Sequence, residues 1–257
     1  GCQAIGLGLL KAGLQAYVAY PMTPVSPILE LFACLEPEFE LQVVLPESEI
    51  AVMLMATGYA YMGVKNAVGT SGGGFSLMVE GLSLAGQAEL PVVVVLGQRS
   101  GPSTGMPTYT AQADLGFVLT AGHGEFPRLI VAPGDAEEAY YWSGVALNKA
   151  WQYQMPAFIL ADKTLCLNQY SFDLKLAPEL QEEQPVLWDW KGQYGRYRQT
   201  ENGISPLAFA PLAGQTVKTN SYVHDEYGII SEDPVVAKAV TDKGLLKERY
   251  LAEELQA

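Results

Sequence analysis

The chain has 257 residues, 49% of them hydrophobic and 17% charged, enough to bury one sizeable core and a smaller appendage. A net charge of −13, with only 15 Lys and Arg spread along the chain, argues against a nucleic-acid partner, because phosphate backbones are held by clustered cations. Cys2, Cys34 and Cys166 form no Cys-x-x-Cys pair and no run approaches the roughly 18 apolar residues of a membrane span, so the chain reads as a cytoplasmic protein with reduced thiols and no metal site of its own.

In chain order, Gly1 to Ala12 carries an apolar helical face, and Leu14 to Ala19 reads as a buried strand ending at Tyr20-Pro21-Met22-Thr23-Pro24. A helix is predicted from about Ser26 or Pro27, a strand over Leu41–Leu45, a helix over Glu47–Tyr61 and a strand over Ala67–Thr70. That strand runs into the loop Thr70-Ser71-Gly72-Gly73-Gly74 and the apolar helix Phe75–Ala88. Pro91–Leu96, Leu129–Ala132 and Ala157–Leu160 are further strands, with a helix over Asp135–Trp151 whose Glu137 and Glu138 suit the positive end of the dipole. Continuously apolar strands alternating with helices imply an α/β fold with a parallel sheet covered by helices on both faces. Beyond about Asn168 the periodicity fails until Val236–Leu255, so the chain divides into an α/β unit over 1–167 and an irregular C-terminal arm over 168–257, held down by its aromatics. The missing initiator Met predicts that a longer chain precedes Gly1.

Loops at the carboxyl ends of strands are where open α/β sheets bind ligands. The Tyr20–Pro24 turn, the Thr70–Gly74 loop, Gln98–Gly105 and His123–Arg128 are therefore expected to converge on one rim. Glu49 precedes Ile50 and Ala51 and should point inward, whereas Glu47 should lie at the surface; a first-turn carboxylate is also an ordinary dipole or capping residue. Thr23 presents a hydroxyl from a turn stiffened by Pro21 and Pro24, or merely exits a strand. Arg99, just past an apolar strand, is placed to hold a carboxylate bidentately or to make an internal ion pair. Gly72–Gly74 allow close backbone approach but complete neither a dinucleotide fingerprint nor a P-loop. His123 and His224 lack nearby partners in sequence and read as structural.

Together, Tyr-Pro-Met-Thr-Pro, Glu-Ser-Glu-Ile-Ala, Thr-Ser-Gly-Gly-Gly-Phe-Ser-Leu-Met, Gln-Arg-Ser-Gly-Pro-Ser-Thr-Gly, Gly-His-Gly-Glu-Phe-Pro-Arg and the later Asn220-Ser221-Tyr222 and His224-Asp225-Glu226-Tyr227-Gly228 resemble the α subunit of 2-oxoacid:ferredoxin oxidoreductases. The resemblance runs from Gly1 to about Pro234 and is closest to the 2-oxoglutarate-type branch. It implies a fold of the thiamine-diphosphate-binding type, contributing the pyrimidine half of the coenzyme site. The implied reaction decarboxylates a 2-oxoacid, passes electrons to ferredoxin and yields an acyl-CoA. It also implies that Glu49 bonds the pyrimidine ring nitrogen and favours the imino tautomer that takes the thiazolium proton, that Thr23 and Arg99 hold the 2-oxoacid, and that Tyr20, Pro21, Gly72 and Gly73 contact the cofactor. A β subunit would supply Mg²⁺ and a [4Fe-4S] cluster, since the family's Gly-Asp-Gly motif is absent and Gly134-Asp135 continues with Ala136. The expected assembly is an αβ hetero-oligomer, with (αβ)2 as one form. Two features depart from the family: Gly73 replaces Pro in Ser-Gly-Pro-Gly, and the chain ends before a usual further C-terminal α/β domain.

The rival reading is a non-catalytic scaffold or regulatory paralogue, which would need none of Thr23, Glu49 and Arg99. A nicotinamide dehydrogenase would need a Gly-x-Gly-x-x-Gly turn between a strand and a helix, and none is present.

Overall fold

A computed structural model describes residues 1–175 and 177–256. Helix α1 (Cys2–Lys11) leads into β1 (Ala16–Ala19), followed by α2 (Ser26–Leu35), β2 (Gln42–Val44), α3 (Glu49–Tyr61), β3 (Asn66–Ser71), α4 (Gly72–Gln87) and β4 (Val93–Ser100). The short β5 (Met106–Thr110) and α5 (Leu115–Thr120) precede β6 (Leu129–Val131), α6 (Ala136–Tyr153), β7 (Ala157–Asp162) and α7 (Lys163–Leu167); α8 (Pro234–Gln256) comes last. Strands run in the order β2-β1-β3-β4-β7-β6, all parallel, and β5 adds antiparallel to the end of β4.

Strand residues alternate between two cores, as a period of two requires. Tyr17, Val93, Val95 and Ile159 face α1, α2 and α6, while Val18, Val94, Leu96 and Phe158 face α3, α4 and α5. The sheet is thus covered on both faces, as the apolar strands imply. Pairs such as Ala67 with Val93 and Val93 with Ala157 fix the register, so β1, β3, β4 and β7 finish on one edge. The helix start at Asp135 has a direct cause: its Oδ1 accepts the Glu138 N–H at 2.8 Å.

Residues after Asn168 form isolated bridges, Leu187 with Leu207 and His224 with Ile230, before α8. Buried aromatics do anchor this arm, among them Trp188, Tyr194 and Tyr197, but Trp190 is 67% exposed. Polar clasps are as prominent. Lys65 Nζ donates to Glu182 and to the Glu183 carbonyl, each at 2.9 Å. Lys149 bridges Glu183 and Glu254, and Glu89 receives both Lys243 and Lys247 of α8. Among the described residues, no helix is long and apolar enough to cross a membrane.

Candidate active site

The glycine stretch is not a loop. Strand β3 ends at Ser71 and α4 begins at Gly72, so the three glycines form the first helical turn. Two carboxyl groups press against that turn and leave no room for side chains at Gly72 and Gly74. A Cβ at Gly74 would lie 2.7 Å from Glu49 Oε1 and also strike Thr70 Oγ1; one at Gly72 would lie 2.7 Å from Asp114 Oδ1. At Gly73 a Cβ would only reach ordinary contact with the Ser103 carbonyl, 3.4 Å away.

Glu49 is the first residue of α3, capped by Ser48, whose Oγ accepts the Ala51 N–H at 3.3 Å. That cap fixes the helix start and leaves the Glu49 side chain free to turn inward, where it is 8% exposed; Glu47 stays at the surface. Arg99, near the end of β4, donates from Nη1 to the Thr23 carbonyl at 2.9 Å, using one of the five N–H groups a guanidinium carries. The backbone of the Tyr-Pro turn therefore positions the arginine.

Glu49, Gly72–Gly74, Arg99 and Asp114 line one cavity of about 510 Å³, with the 100–104 segment and Phe117 completing its wall. The Tyr20–Pro24 turn reaches this wall through Met22; Tyr20, Pro21 and Thr23 lie outside the lining, and Tyr20 is 38% exposed. The expected convergence of four loops holds for three. The 123–128 segment instead leads into the start of β6, and Phe126 packs on Gly86 near the C-terminal end of α4, at the other end of the sheet from Glu49.

Asp114 was not singled out by its sequence context. It precedes an apolar run and looks only like a helix cap, which is the position it occupies ahead of α5, yet its side chain makes no capping bond. Its N–H donates to Gln98 Oε1 at 3.3 Å, and its Oδ2 is buried without a partner. Burial pushes this carboxyl up, opposed by the nearby Arg99 charge. Ser71 Oγ at the head of α4 is likewise buried and unpartnered. The cavity thus offers a mostly buried carboxyl group, one guanidinium and unsatisfied polar atoms beside a helix N-terminus, a set suited to a ligand with a ring nitrogen and an anionic group. Among the described residues, no cluster of three His, Cys, Asp or Glu could hold a metal.

Residues 7–242 match the family described as "Pyruvate flavodoxin/ferredoxin oxidoreductase, thiamine diP-bdg". The chain is 42% identical over 249 residues, 90% of its length, to the 2-oxoacid:ferredoxin oxidoreductase subunit alpha of Saccharolobus solfataricus, and covers 39% of that protein. It is 37% identical over 163 residues to the 2-oxoglutarate synthase subunit KorA of Methanocaldococcus jannaschii, covering 63% of this chain and 44% of that one. A solved 2-oxoglutarate:ferredoxin oxidoreductase from Magnetococcus marinus, with 2-oxoglutarate, coenzyme A and succinyl-CoA bound, superposes with a TM-score of 0.91 at 31% identity, over 98% of this chain and 44% of that one. The chain spans about two fifths of the length of the first of these relatives.

Proposed function

Because the chain belongs to the thiamine-diphosphate-binding family of pyruvate flavodoxin/ferredoxin oxidoreductases, we propose that it supplies the pyrimidine side of the coenzyme site in the α subunit of a 2-oxoacid:ferredoxin oxidoreductase. The α/β unit over 1–167 carries the site and the 168–257 arm braces it. The complex works in the cytoplasm, oxidatively decarboxylating a 2-oxoacid to an acyl-CoA and passing electrons to ferredoxin. The observation that carries this reading is Glu49, buried at the wall of a cavity that also holds Arg99.

The residues fit the coenzyme. A mostly buried carboxylate is a strong acceptor for a protonated ring nitrogen, and the side-chain-free turn at Gly72–Gly74 leaves room for a flat ring beside it. When bound, thiamine diphosphate supplies the electron sink that decarboxylation needs. Glu49 holds the ring and biases its tautomer. Arg99, steadied by the Thr23 carbonyl, takes the substrate carboxylate. Gly72 and Gly73 would border the ring, and Tyr20 and Pro21, outside the cavity lining, would act on it through the turn that carries Met22.

A partner β subunit completes the site by holding Mg²⁺, with it the coenzyme's diphosphate, and a [4Fe-4S] cluster. Helix α3 supports this: after Glu49 it carries no charged residue, yet Ile50, Leu54 and Met55 are 51%, 43% and 39% exposed. An apolar helix of that kind is one that something covers. For the substrate, 2-oxoglutarate is favoured by the relatives named 2-oxoglutarate synthase and by the ligand of the solved relative. Arg99 is the cavity's one cationic lining residue among those described, so the distal carboxylate of such a substrate falls to the partner.

A scaffold role is disfavoured by the inward placement of Glu49 in the wall of the same cavity as Arg99, an arrangement that a scaffold does not need. The deciding experiment is Glu49→Gln in the αβ complex with thiamine diphosphate. Turnover should fall on the order of 10²–10³-fold while the melting temperature stays at the wild-type value, because the change removes charge but not volume. Wild-type turnover would sink the assignment.

A further inference from the structure

Asp114 is the one ionisable group in the cavity wall that the reading above leaves without a task, and its geometry is unusual for a surface acid. It occupies a helix-cap position without capping. Its Oδ1 side is pressed against the first turn of α4, and Oδ2 is buried with no partner although the side chain lines an open cavity. No Asp114–Arg99 ion pair is formed, although both residues line the same cavity.

The charged groups around Asp114 are Arg99 from β4 and Glu49 from α3, both in the same wall. Asp162 at the end of β7 is already engaged, through Oδ2 with Gln112 and Oδ1 with the Leu165 N–H. The α4 turn contributes no side-chain charge. An anionic ligand drawn to Arg99 thus meets a second carboxyl group. An ionised Asp114 would repel it, whereas a protonated one has a single O–H to donate.

Resting on the 2-oxoacid reading, we propose that Asp114 is a second substrate-binding carboxyl group, which takes up a proton when the 2-oxoacid enters and donates its O–H to the carboxylate that Arg99 holds. The proton comes from solvent and returns there when the anion leaves. Capture of the substrate is therefore linked to pH. Affinity is full where Asp114 is protonated in the free enzyme and falls as pH rises above that point, by up to about tenfold per unit. Burial already raises this carboxyl in the empty site, in the direction that such binding uses.

The test compares wild type, Asp114→Asn and Asp114→Ala in the intact αβ complex. Asn donates an N–H at every pH, so it keeps the hydrogen bond but loses the proton linkage. The KM for the 2-oxoacid should rise with pH in wild type and stay flat in Asp114→Asn. Calorimetry with lactate and 2-hydroxyglutarate, which carry the carboxylate but are not decarboxylated, in two buffers of different ionisation enthalpy should report uptake of up to about one proton in wild type and none in Asp114→Asn. Asp114→Ala should bind about tenfold more weakly than Asp114→Asn. Unchanged proton uptake in Asp114→Asn, or equal loss of binding in both variants at all pH values, overturns the proposal. A wild-type complex that turns over no 2-oxoacid overturns the underlying reading with it. Wild-type turnover with a pH-independent KM overturns the Asp114 role alone.

Discussion

Replacing Gly74 by alanine places a methyl group 2.7 Å from Glu49 Oε1, in a wall where neither α3 nor β3 can retreat without disturbing the sheet edge. The expected outcome is destabilisation of about 1–3 kcal/mol, together with a loss of turnover far larger than the unfolded fraction explains. Thermal melting and kcat measured on the same preparation check both. At this scale Glu49 and Arg99 were legible in the sequence because each sits just where a strand or helix run changes, and position relative to those runs fixes what a side chain can reach. The inward turn of Glu49 and the outward one of Glu47 followed from the small and apolar residues after Glu49. Asp114 was not legible, since an acid ahead of a short apolar run carries the signature of a cap whether or not it caps. Nor was the part played by Thr23, whose observed bond to Arg99 uses its backbone carbonyl, a group every residue has.

Among the elements, α8 is tied down by an ion cluster that no periodicity announces. Glu89, in left-handed backbone at φ 51° just past α4, takes Lys243 at 2.7 Å and Lys247 at 2.5 Å, while its carbonyl accepts Arg196 at 2.6 Å. Burial alone would raise the Glu89 carboxyl, but Lys243, Lys247 and Arg196 outweigh it and hold the group below the ordinary carboxylate range. Burial lowers Lys247 to about 7 against the pull of Glu89. In both cases the unfolded chain binds more protons than the folded one, so stability rises with pH. The Glu89 contribution is present above its unfolded pKa of about 4.3 and lost as pH falls below it, and the Lys247 penalty is relieved as pH climbs past about 7. Glu89→Gln leaves two buried ammonium groups without their anion and should cost about 3–5 kcal/mol, with a flatter acid limb in denaturant titrations. The parallel strands and the helices between them were readable because continuous burial writes continuous apolar runs. Strand β5 was not, because Met106–Thr110 is largely exposed and pairs only with the end of β4. The five-residue α7 is too short to show a period.

For the whole molecule, the −13 charge and the apolar stripe on α3 describe a chain with one face that water does not suit. If that face meets the β subunit, Leu54→Glu should abolish co-elution of the two chains in size-exclusion chromatography while the isolated chain keeps its circular dichroism. Co-elution at the wild-type ratio would place the partner elsewhere. The helices braced by the arm lie far apart in sequence, and Lys243 follows Glu89 by 154 residues. At ribosomal speeds of about 5–20 residues per second, the segment carrying those lysines emerges roughly 8–30 s after the acid it must meet. Over that interval β4, β6, β7 and Arg196 are made while Glu89 waits for its two lysines, so the clasp is the last of these contacts that synthesis permits and works as a latch rather than as a frame.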